Sequence, residues 1–298
     1  MTNKGNTGTI KLMKHIVILG SSVAGHTLAV SLRRQDSEVK ITLVSEENFV
    51  FYDKRKLLEY VVGDVKEKEL FLVAADFYEK NAITFLKQHS VLHVSPSRKQ
   101  VSLRYKEKRE VLAYDQLAVC TGRRTQLPDI DGVNKEGVYT VDSLTDCRQL
   151  RQHLISDPVC LIGSSPYASR FAQLLAAKQR EVKEFALPGE VVEFIGEGGV
   201  QALKLKEGKI IGSSLPVVFS SPAKANMDFL KESDIETSRG SIVVDAQLRT
   251  NLPGIFASGS VCSCIDRSAG DKSWEEVEAE SRQLAGVMLA AAAAKVEA

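Results

Sequence analysis

Residues 15–25 read HIVILGSSVAG, and this stretch decides the fold of the chain. Its first five residues form an apolar, partly β-branched run, which is typical of a parallel strand buried on both faces. The run stops at Gly20, and apolar residues then recur at helical spacing between Ala24 and Leu32. A second apolar run follows at residues 39–44. Strand, glycine turn, helix and strand within about 30 residues predict a βαβ unit.

The turn inside this unit has the form G-x-S-x-x-G, one residue away from the dinucleotide fingerprint G-x-G-x-x-G. Gly20 permits the tight turn, Ser22 stands where backbone approaches a pyrophosphate, and Gly25 lets helix and strand pack closely. Ala24 lies at the start of the helix, where free N–H groups attract phosphates. Glu46 follows Gly20 by 26 residues and is placed to accept hydrogen bonds from a ribose. We therefore predict a dinucleotide site here; the alternative is a glycine turn without a ligand.

Another apolar run, at residues 158–162, ends in a similar turn at Gly163, 143 residues after Gly20. This spacing is too long for a repeat array and indicates a duplicated nucleotide-binding unit. Residues 91–111 predict a β-hairpin with a charged tip. Further strands are predicted near residues 114–122, and two more, followed by a long helix, lie within residues 241–295. The pattern of strands and helices predicts an α/β chain of about two domains.

Composition excludes several classes of protein. Among 298 residues, 44% are apolar and 26% are charged, with a net charge of +1, which argues against a disordered chain and against nucleic acid or anionic membranes as partners. The longest apolar run, residues 284–294, is too short to span a bilayer, and residues 1–12 lack the apolar core of a secretory signal. Five cysteines without a CxxC pair, and five histidines without metal spacing, predict no disulfide framework and no metal site. We expect a cytoplasmic protein.

Four blocks that together span nearly the whole chain resemble the pyridine nucleotide–disulfide oxidoreductase superfamily of flavoproteins, in particular its NADH-rubredoxin and ferredoxin reductase-like branch. The blocks are residues 16–25 (IVILGSSVAG) with Glu46, residues 52–60 (YDKRKLLEY), residues 117–124 (LAVCTGRR) with 127–132 (LPDIDG), and residues 248–259 (LRTNLPGIFASG).

The resemblance implies a Rossmann-like FAD domain in two segments, residues 13–146 and 241–298. It implies an inserted, reduced second Rossmann-like domain of the NAD(P) type at residues 147–240. Lys54 is expected near the isoalloxazine ring and is the candidate catalytic residue. The residues implied to hold FAD are Gly20, Ser22, Ala24, Gly25, Glu46, Lys54, Thr121, Gly122, Gly259 and Ser260.

Departures from the family pattern bear on the chemistry. Ser260 stands where the family has an aspartate that binds the flavin ribityl chain, and loss of one charge-assisted hydrogen bond costs roughly 1.5–3 kcal/mol. Lys54 replaces the usual arginine and keeps its charge without the planar fork. Residues 46–63 contain no cysteine, so the family's flavin–dithiol relay is not available.

The second nucleotide turn departs further. Ser165 and Pro166 replace a glycine and a residue beside the nicotinamide, and Arg170 replaces a glutamate. The following strand ends at Leu187 without an acid for a ribose or an arginine for a 2′-phosphate. A helix and a strand that normally follow are expected to be missing. Use of NAD(P)H is therefore doubtful, and a scaffold role for this domain is favoured.

Three further features are open to two interpretations. Cys262 and Cys264 would lie at a helix N-terminus near the flavin, where a thiol pKa falls, although small buried hydrophobic residues are the favoured interpretation, as for Cys120. His26 follows the phosphate turn and is either a solvated helix residue, which is favoured, or a catalyst. The basic run at residues 54–56 is either a docking patch for an acidic partner or a solvated surface.

Three functions follow from these observations. The favoured one is an FAD-dependent electron-transfer subunit that exchanges electrons with an iron–sulfur subunit or another redox protein. The alternatives are a self-sufficient NAD(P)H-dependent reductase of the rubredoxin or ferredoxin type, and a non-catalytic scaffold that has lost FAD. The chain lacks the family's C-terminal interface domain, so an oligomer is expected to use another surface.

Overall fold

The structure, a computed structural model, describes residues 14–154, 158–186, 189–212, 215–219, 223–264 and 272–293. The strands are β1 (His15–Leu19), β2 (Lys40–Val44), β3 (Ile83–Leu86), β4 (His89–Ser95), β5 (Gln100–Tyr105), β6 (Lys108–Ala113), β7 (Gln116–Val119), β8 (Arg123–Arg124), β9 (Val159–Ile162), β10 (Val182–Phe185), β11 (Val191–Ile195), β12 (Ala202–Leu205), β13 (Ile210–Gly212), β14 (Leu215–Val218), β15 (Lys224–Ala225), β16 (Thr237–Ser238), β17 (Ser241–Val244), β18 (Ile255–Ala257) and β19 (Cys262–Cys264). The helices are α1 (Val23–Gln35), α2 (Leu57–Val61), α3 (Phe77–Lys80), α4 (Leu144–His153), α5 (Pro166–Ala177) and α6 (Trp274–Ala293).

The chain forms two compact units. Unit 1 comprises the described residues within Met1–Glu46, Asp76–Thr121 and Met227–Ala298, and unit 2 comprises those within Glu47–Ala75 and Gly122–Asn226. Each unit is built around its own parallel sheet, as expected for two nucleotide-binding-type domains.

Unit 1 contains a five-stranded parallel sheet in the order β18-β7-β1-β2-β3. The central strand β1 is buried at every position after its first residue, which accounts for the unbroken apolar run in the sequence. Helix α1 follows β1 and packs along the C-terminal helix α6. Two smaller sheets complete the unit, an antiparallel meander β4-β5-β6 and a sheet of β16, β17 and β19.

Unit 2 contains a shorter parallel sheet in the order β10-β9-β14 and an antiparallel sheet β11-β12-β13. Helix α5 connects β9 to β10, so the second βαβ unit is present. Its parallel sheet has three strands in the described part of the chain, where the first unit has five. The prediction of a reduced second Rossmann-like domain is confirmed.

The two compact units differ from the segments predicted from the sequence. Residues 47–75 and 122–146 group with the second parallel sheet, and residues 227–240 group with the first. The reason is a shared hydrophobic cluster, since buried side chains of α2 such as Leu57 and Tyr60 pack with those of α4 and α5. Assignment of FAD or NAD(P) to either unit stays a prediction.

Across the ranges described above, no helix is both long and apolar enough to cross a membrane.

Candidate functional site

The carboxyl ends of four neighbouring parallel strands meet at one edge of the unit 1 sheet. The strands β1, β2, β7 and β18 lead directly into the loops that begin at Gly20, Ser45, Cys120 and Ser258. In open α/β sheets, ligands bind at this edge. The structure therefore brings together predicted site residues from four distant parts of the sequence, including Thr121 and Gly259–Ser260. We call this edge of unit 1 the cradle.

Two glycines of the fingerprint are required by the backbone packing in the cradle. Gly20 has φ +102°, and a Cβ atom on it would lie 2.3 Å from the carbonyl oxygen of Cys120. A Cβ on Gly25 would lie 1.8 Å from the carbonyl oxygen of Gly20. Only glycine permits such approaches. The proposed role of Gly25 in close helix–strand packing agrees with this geometry.

The first turn of α1 presents three unused hydrogen-bond donors. The hydroxyl of Ser22, the N-cap residue, makes no capping hydrogen bond, and the first backbone bond of the helix runs from His26 N–H to the Ser22 carbonyl. Within the described residues, the N–H groups of Val23, Ala24 and Gly25 have no acceptor. No acidic residue lies in this turn. Open donors at a helix N-terminus beside a glycine turn fit the pyrophosphate of a dinucleotide such as FAD.

Two side chains not predicted from the sequence help to shape the cradle. The Ser21 hydroxyl donates to the Ser45 hydroxyl at 2.8 Å, which links the fingerprint turn to the end of β2. The predicted ribose residue Glu46 is exposed, and its Oε1 accepts a hydrogen bond from Ser90 at 3.1 Å. The only sequence signal for Ser45 is its place directly after β2.

Two predicted cofactor residues, Lys54 and Gly122, belong to unit 2. The Lys54 ammonium donates to Glu47 Oε1 at 3.0 Å and to the Asp142 carbonyl at 3.1 Å. Tyr52 donates to the other oxygen of Glu47 at 2.6 Å, and burial together with this carboxylate raises the pKa of the Tyr52 hydroxyl. The ion pair with Glu47 and the hydrogen bond to the Asp142 carbonyl therefore fix the position of the Lys54 ammonium.

The second glycine turn, in unit 2, presents fewer donors. Ser165 is the N-cap of α5, and its hydroxyl accepts from Ala168 N–H at 3.0 Å. Pro166 is the first helical residue and has no N–H. Among the first-turn groups only Tyr167 N–H has no acceptor in the described chain. Arg170 donates to Glu59 Oε1 at 3.0 Å and is thereby neutralised. The side chain at this turn therefore caps helix α5, and few hydrogen-bond donors are left for a ligand.

One feature at the end of β10 differs from the sequence prediction. Leu187, the predicted last residue of that strand, lies outside the described residues. Three residues later, the Glu190 carboxylate accepts a hydrogen bond from Ala186 N–H at 2.8 Å. An acid is therefore present near the end of β10, contrary to the prediction that none is. The spacing of residues in the sequence does not reveal this hydrogen bond.

The cysteines are free thiols. Cys262 is 4% exposed and lies in strand β19, not at a helix N-terminus as expected. Burial raises its pKa to about 11, although Lys272 at 3.9 Å opposes this effect. Burial likewise raises the pKa of Cys120. Both therefore act as small hydrophobic residues at neutral pH.

His26 is not the solvated helix residue that we predicted. Its Nδ1 lies 2.9 Å from the hydroxyl of Tyr78, and its ring packs against Phe77 with centroids 5.5 Å apart. Burial lowers its pKa to about 4. The imidazole is neutral at pH 7 and does not add positive charge to the cradle. In the described residues, no group of His, Cys, Asp or Glu side chains is arranged to hold a metal ion.

Comparison with known proteins places these features in a family. The family model described as pyridine nucleotide-disulphide oxidoreductase matches residues 14–186 and 184–294. A curated relative, the benzene 1,2-dioxygenase system ferredoxin–NAD(+) reductase subunit of Pseudomonas putida, is 25% identical over 309 residues, covering 93% of this chain and 74% of its own.

Two solved structures share the fold. Reduced Bacillus anthracis CoADR-RHD has a TM-score of 0.83 at 16% identity, covering 94% of this chain and 57% of that one. The covalent putidaredoxin reductase–putidaredoxin complex has a TM-score of 0.78 at 19% identity, covering 93% of this chain and 75% of that one. The predicted resemblance, the α/β Rossmann-type fold and the class of FAD-dependent oxidoreductase are confirmed. The chain belongs to the pyridine nucleotide-disulphide oxidoreductase family.

Proposed function

We propose that this chain binds FAD at the cradle of unit 1 and acts as an electron-transfer flavoprotein in the cytoplasm. Its redox partner is a separate protein of the iron–sulfur kind, and NAD(P)H is at most a poor direct electron donor. The relatives support the partner class, since one is a ferredoxin–NAD(+) reductase subunit and another structure contains putidaredoxin.

The observation that carries this proposal is the difference between the two glycine turns. The first turn of α1 offers three N–H groups without acceptors, whereas the first turn of α5 offers one. Each hydrogen bond to a charged phosphate is worth roughly 1.5–3 kcal/mol. Two fewer such donors weaken pyrophosphate binding by at least a hundredfold. The cradle is therefore favoured as the dinucleotide site over the turn of unit 2.

The predicted residues divide the work of holding FAD. Gly20 and Gly25 shape the turn, and the N–H groups of α1, including that of Ala24, bind the pyrophosphate with the Ser22 hydroxyl. Glu46 accepts hydrogen bonds from the adenosine ribose. The remaining residues assigned to the rest of the cofactor are Thr121, Gly122, Gly259 and Ser260. Bound FAD supplies the electron-handling chemistry, and the protein positions it.

Lys54 is proposed as the residue that acts on the flavin ring. Its ammonium pairs with Glu47 at 3.0 Å, which orients the side chain. A fixed cation stabilises negative charge as it develops nearby. This role and that of Gly122 rest on the family resemblance.

A self-sufficient NAD(P)H reductase is the second candidate. The observation that favours it is the Glu190 carboxylate near the end of β10, since an acid in this part of a βαβ unit accepts from a nucleotide ribose. A scaffold without FAD is the third candidate, and two substitutions favour it: Ser22 replaces the glycine that lets backbone approach the pyrophosphate, and Ser260 replaces the aspartate that binds the ribityl chain.

Anaerobic spectroscopy separates the three candidates. The purified protein, reconstituted with FAD, is mixed with NADH or NADPH at micromolar concentration, and the visible flavin band is followed. We expect the protein to show a flavin spectrum. Dithionite should bleach the flavin band, and neither NADH nor NADPH should bleach it rapidly. The dithionite-reduced protein should then transfer electrons to an iron–sulfur protein. Rapid bleaching by either nucleotide supports the reductase, and failure to bind FAD supports the scaffold.

A further inference from the structure

The meander of β4, β5 and β6, residues 89–113, holds an unusual share of the positive charge. It contains six Lys and Arg residues and two Glu residues, so its net charge is +4. The whole chain has a net charge of +1, and the rest of the protein is therefore net negative. We call this sheet the basic meander.

All six cations of the basic meander are exposed and have no carboxylate partner in the part of the chain that the structure describes. They are Arg98, Lys99, Arg104, Lys106, Lys108 and Arg109. Of the two acids, Glu110 faces His89 at 3.6 Å, and Glu107 is exposed. Cations of unit 2 such as Arg148 and Arg170 are instead paired with glutamates. Six cations without carboxylate partners in the described chain therefore lie close together on one small sheet.

Two of these cations are placed where the sheet alone would not favour them. Arg104 on β5 and Arg109 on β6 are directly paired residues in the antiparallel register. Like charges directly opposite each other destabilise a sheet. Ser90 on β4 pairs with Arg104 on its other side, and its hydroxyl donates to Glu46. Guanidinium groups bind carboxylates through two parallel hydrogen bonds. The pair is suited to carboxylates from outside the chain.

The outer edge of the basic meander adds a second feature. Strand β6 is last in the sheet order β4-β5-β6, and its residues are almost all exposed. Val111 in this strand is 63% exposed, the largest exposed fraction among the large hydrophobic residues of the described chain. Cationic residues on an edge strand oppose pairing with a second copy of the same strand. They do not oppose an acidic strand or loop.

We propose that the basic meander docks an acidic segment of the redox protein partner, with Arg104 and Arg109 binding its carboxylates and Val111 contacting an apolar side chain beside them. This proposal names the kind of partner for the proposed function and rests on it. A protein is favoured over a nucleic acid because the net negative remainder of the chain repels a long polyanion.

Binding of an oxidised, acidic [2Fe–2S] ferredoxin to the FAD-loaded protein tests the proposal without any electron transfer. Calorimetry at low and at physiological salt should show binding that weakens about tenfold as salt rises. Arg104→Glu with Arg109→Glu should weaken binding at least tenfold at low salt. Lys206→Glu with Lys209→Glu, on an exposed hairpin of unit 2, makes the same change in net charge and should alter binding by less than about threefold.

Folding is checked with Arg104→Glu alone. This change replaces a like-charge pair by an opposite-charge pair across the strands, so thermal stability should be unchanged or higher while ferredoxin binding falls. Equal losses in the two double variants would overturn the proposal, as would tighter binding of a short DNA duplex than of ferredoxin. Reduction of ferricyanide by the dithionite-reduced protein reports the proposed function separately. Electron transfer to ferricyanide without any binding of ferredoxin would overturn the proposed docking surface and leave the proposed electron-transfer function standing.

Discussion

Gly25 is a residue of unit 1 at which an added side chain would meet backbone atoms. The carbonyl oxygen of Gly20 lies 1.8 Å from the position of any Cβ added there, well inside van der Waals contact. This oxygen is a backbone atom of the turn that follows β1. It cannot move away as the end of a flexible side chain could. Any side chain at position 25 therefore pushes α1 and its three donor groups away from the sheet.

We expect Gly25→Val to abolish FAD binding because the first turn of α1 is displaced. The measurement is flavin content after reconstitution, together with circular dichroism to establish folding. Gly286→Ala in α6 is the matched control, since the added Cβ meets no atom closer than 3.8 Å, and this variant should keep its flavin and gain up to about 1 kcal/mol of stability. A folded Gly25→Val protein that stays yellow would show that the cradle is not the site.

His26 predicts a dependence of stability on pH. Burial lowers its pKa to about 4 in the folded protein, below the value of about 6.5 in an unfolded chain. The unfolded state therefore binds more protons between these two values, and stability falls as the pH drops through this window. The expected loss from His26 is about 2 kcal/mol at pH 5 relative to pH 7.5.

Urea unfolding across this pH range measures the effect. His26→Gln should remove this part of the pH dependence while keeping a polar partner for Tyr78. If the variant and the original protein lose stability in parallel, the imidazole does not carry the effect.

At the scale of elements, charged and aromatic pairs hold residues 47–75 to the helices of unit 2. Arg148 on α4 donates to both oxygens of Glu67 at 2.8 and 2.5 Å and lies over the ring of Phe49. Arg151, one turn later, donates to the Tyr60 carbonyl and lies over its ring. These contacts surround a groove of about 480 Å³. They explain why this segment groups with unit 2 and not with the strands that flank it in sequence.

Arg148→Met should destabilise the protein by about 1 kcal/mol, since a bidentate and partly exposed ion pair is lost while the aliphatic contact with Phe49 is largely kept. Chemical denaturation measures this. Lys204→Met removes a single ion pair to Glu193 at 3.2 Å and should change stability by less than about 0.5 kcal/mol. The difference between the variants should shrink at high salt; a difference independent of salt would contradict this account.

The start of α5 offers a gain-of-function prediction. Ser165→Gly combined with Pro166→Ala should leave the first turn of α5 with three N–H groups without acceptors, as in α1. We expect NADH to bind at least tenfold more tightly, and the helix to lose about a few tenths of a kcal/mol because glycine replaces the serine N-cap. Titration of NADH fluorescence measures the affinity. Unchanged affinity would mean that donor supply is not what limits nucleotide binding in unit 2.

The sequence predicts the elements near its glycine turns well and the contacts between distant segments poorly. The apolar run at residues 15–19 predicts β1, because a strand that is buried on both faces has a continuous run of apolar residues. The pairing of Arg148 with Glu67 joins residues 81 positions apart, and no periodicity reports it. The same holds for the hydrogen bond that the Glu190 carboxylate accepts from Ala186 N–H at the end of β10.

At the scale of the whole molecule, both units contain a parallel sheet with a glycine turn and a helix, but the second unit is the smaller version. Unit 1 keeps a five-stranded parallel sheet and an open helix terminus, and unit 2 has a three-stranded parallel sheet and a self-capped helix. Departures from the family pattern at and after the second glycine turn are sufficient to predict that the second domain is reduced. The boundaries of the units are not predictable in this way, because hydrophobic packing of α2 against α4 and α5 decides them.

This asymmetry predicts one dinucleotide per chain. Protein purified and reconstituted in the presence of both flavins should retain FAD and not FMN, since FMN lacks the pyrophosphate and the adenosine ribose that the α1 donors and Glu46 would hold. Chromatography of the extracted cofactor gives the answer. Recovery of FMN, or of two dinucleotides per chain, would contradict the proposed division between the units.

The arrangement of the unit 1 sheet has a consequence for synthesis on the ribosome. Strand β7 lies between β1 and β18, and α1 packs along α6, yet β18 and α6 come much later in the sequence than β1, α1 and β7, starting at Ile255. Until that segment has left the ribosome, β7 has an unpaired edge and α1 an uncovered side. Gly259 and Ser260 are also absent from the cradle. Flavin uptake is therefore expected only after β18 and α6 have been synthesised and have joined the sheet and helix of unit 1, so bound flavin indicates that these late elements are in place.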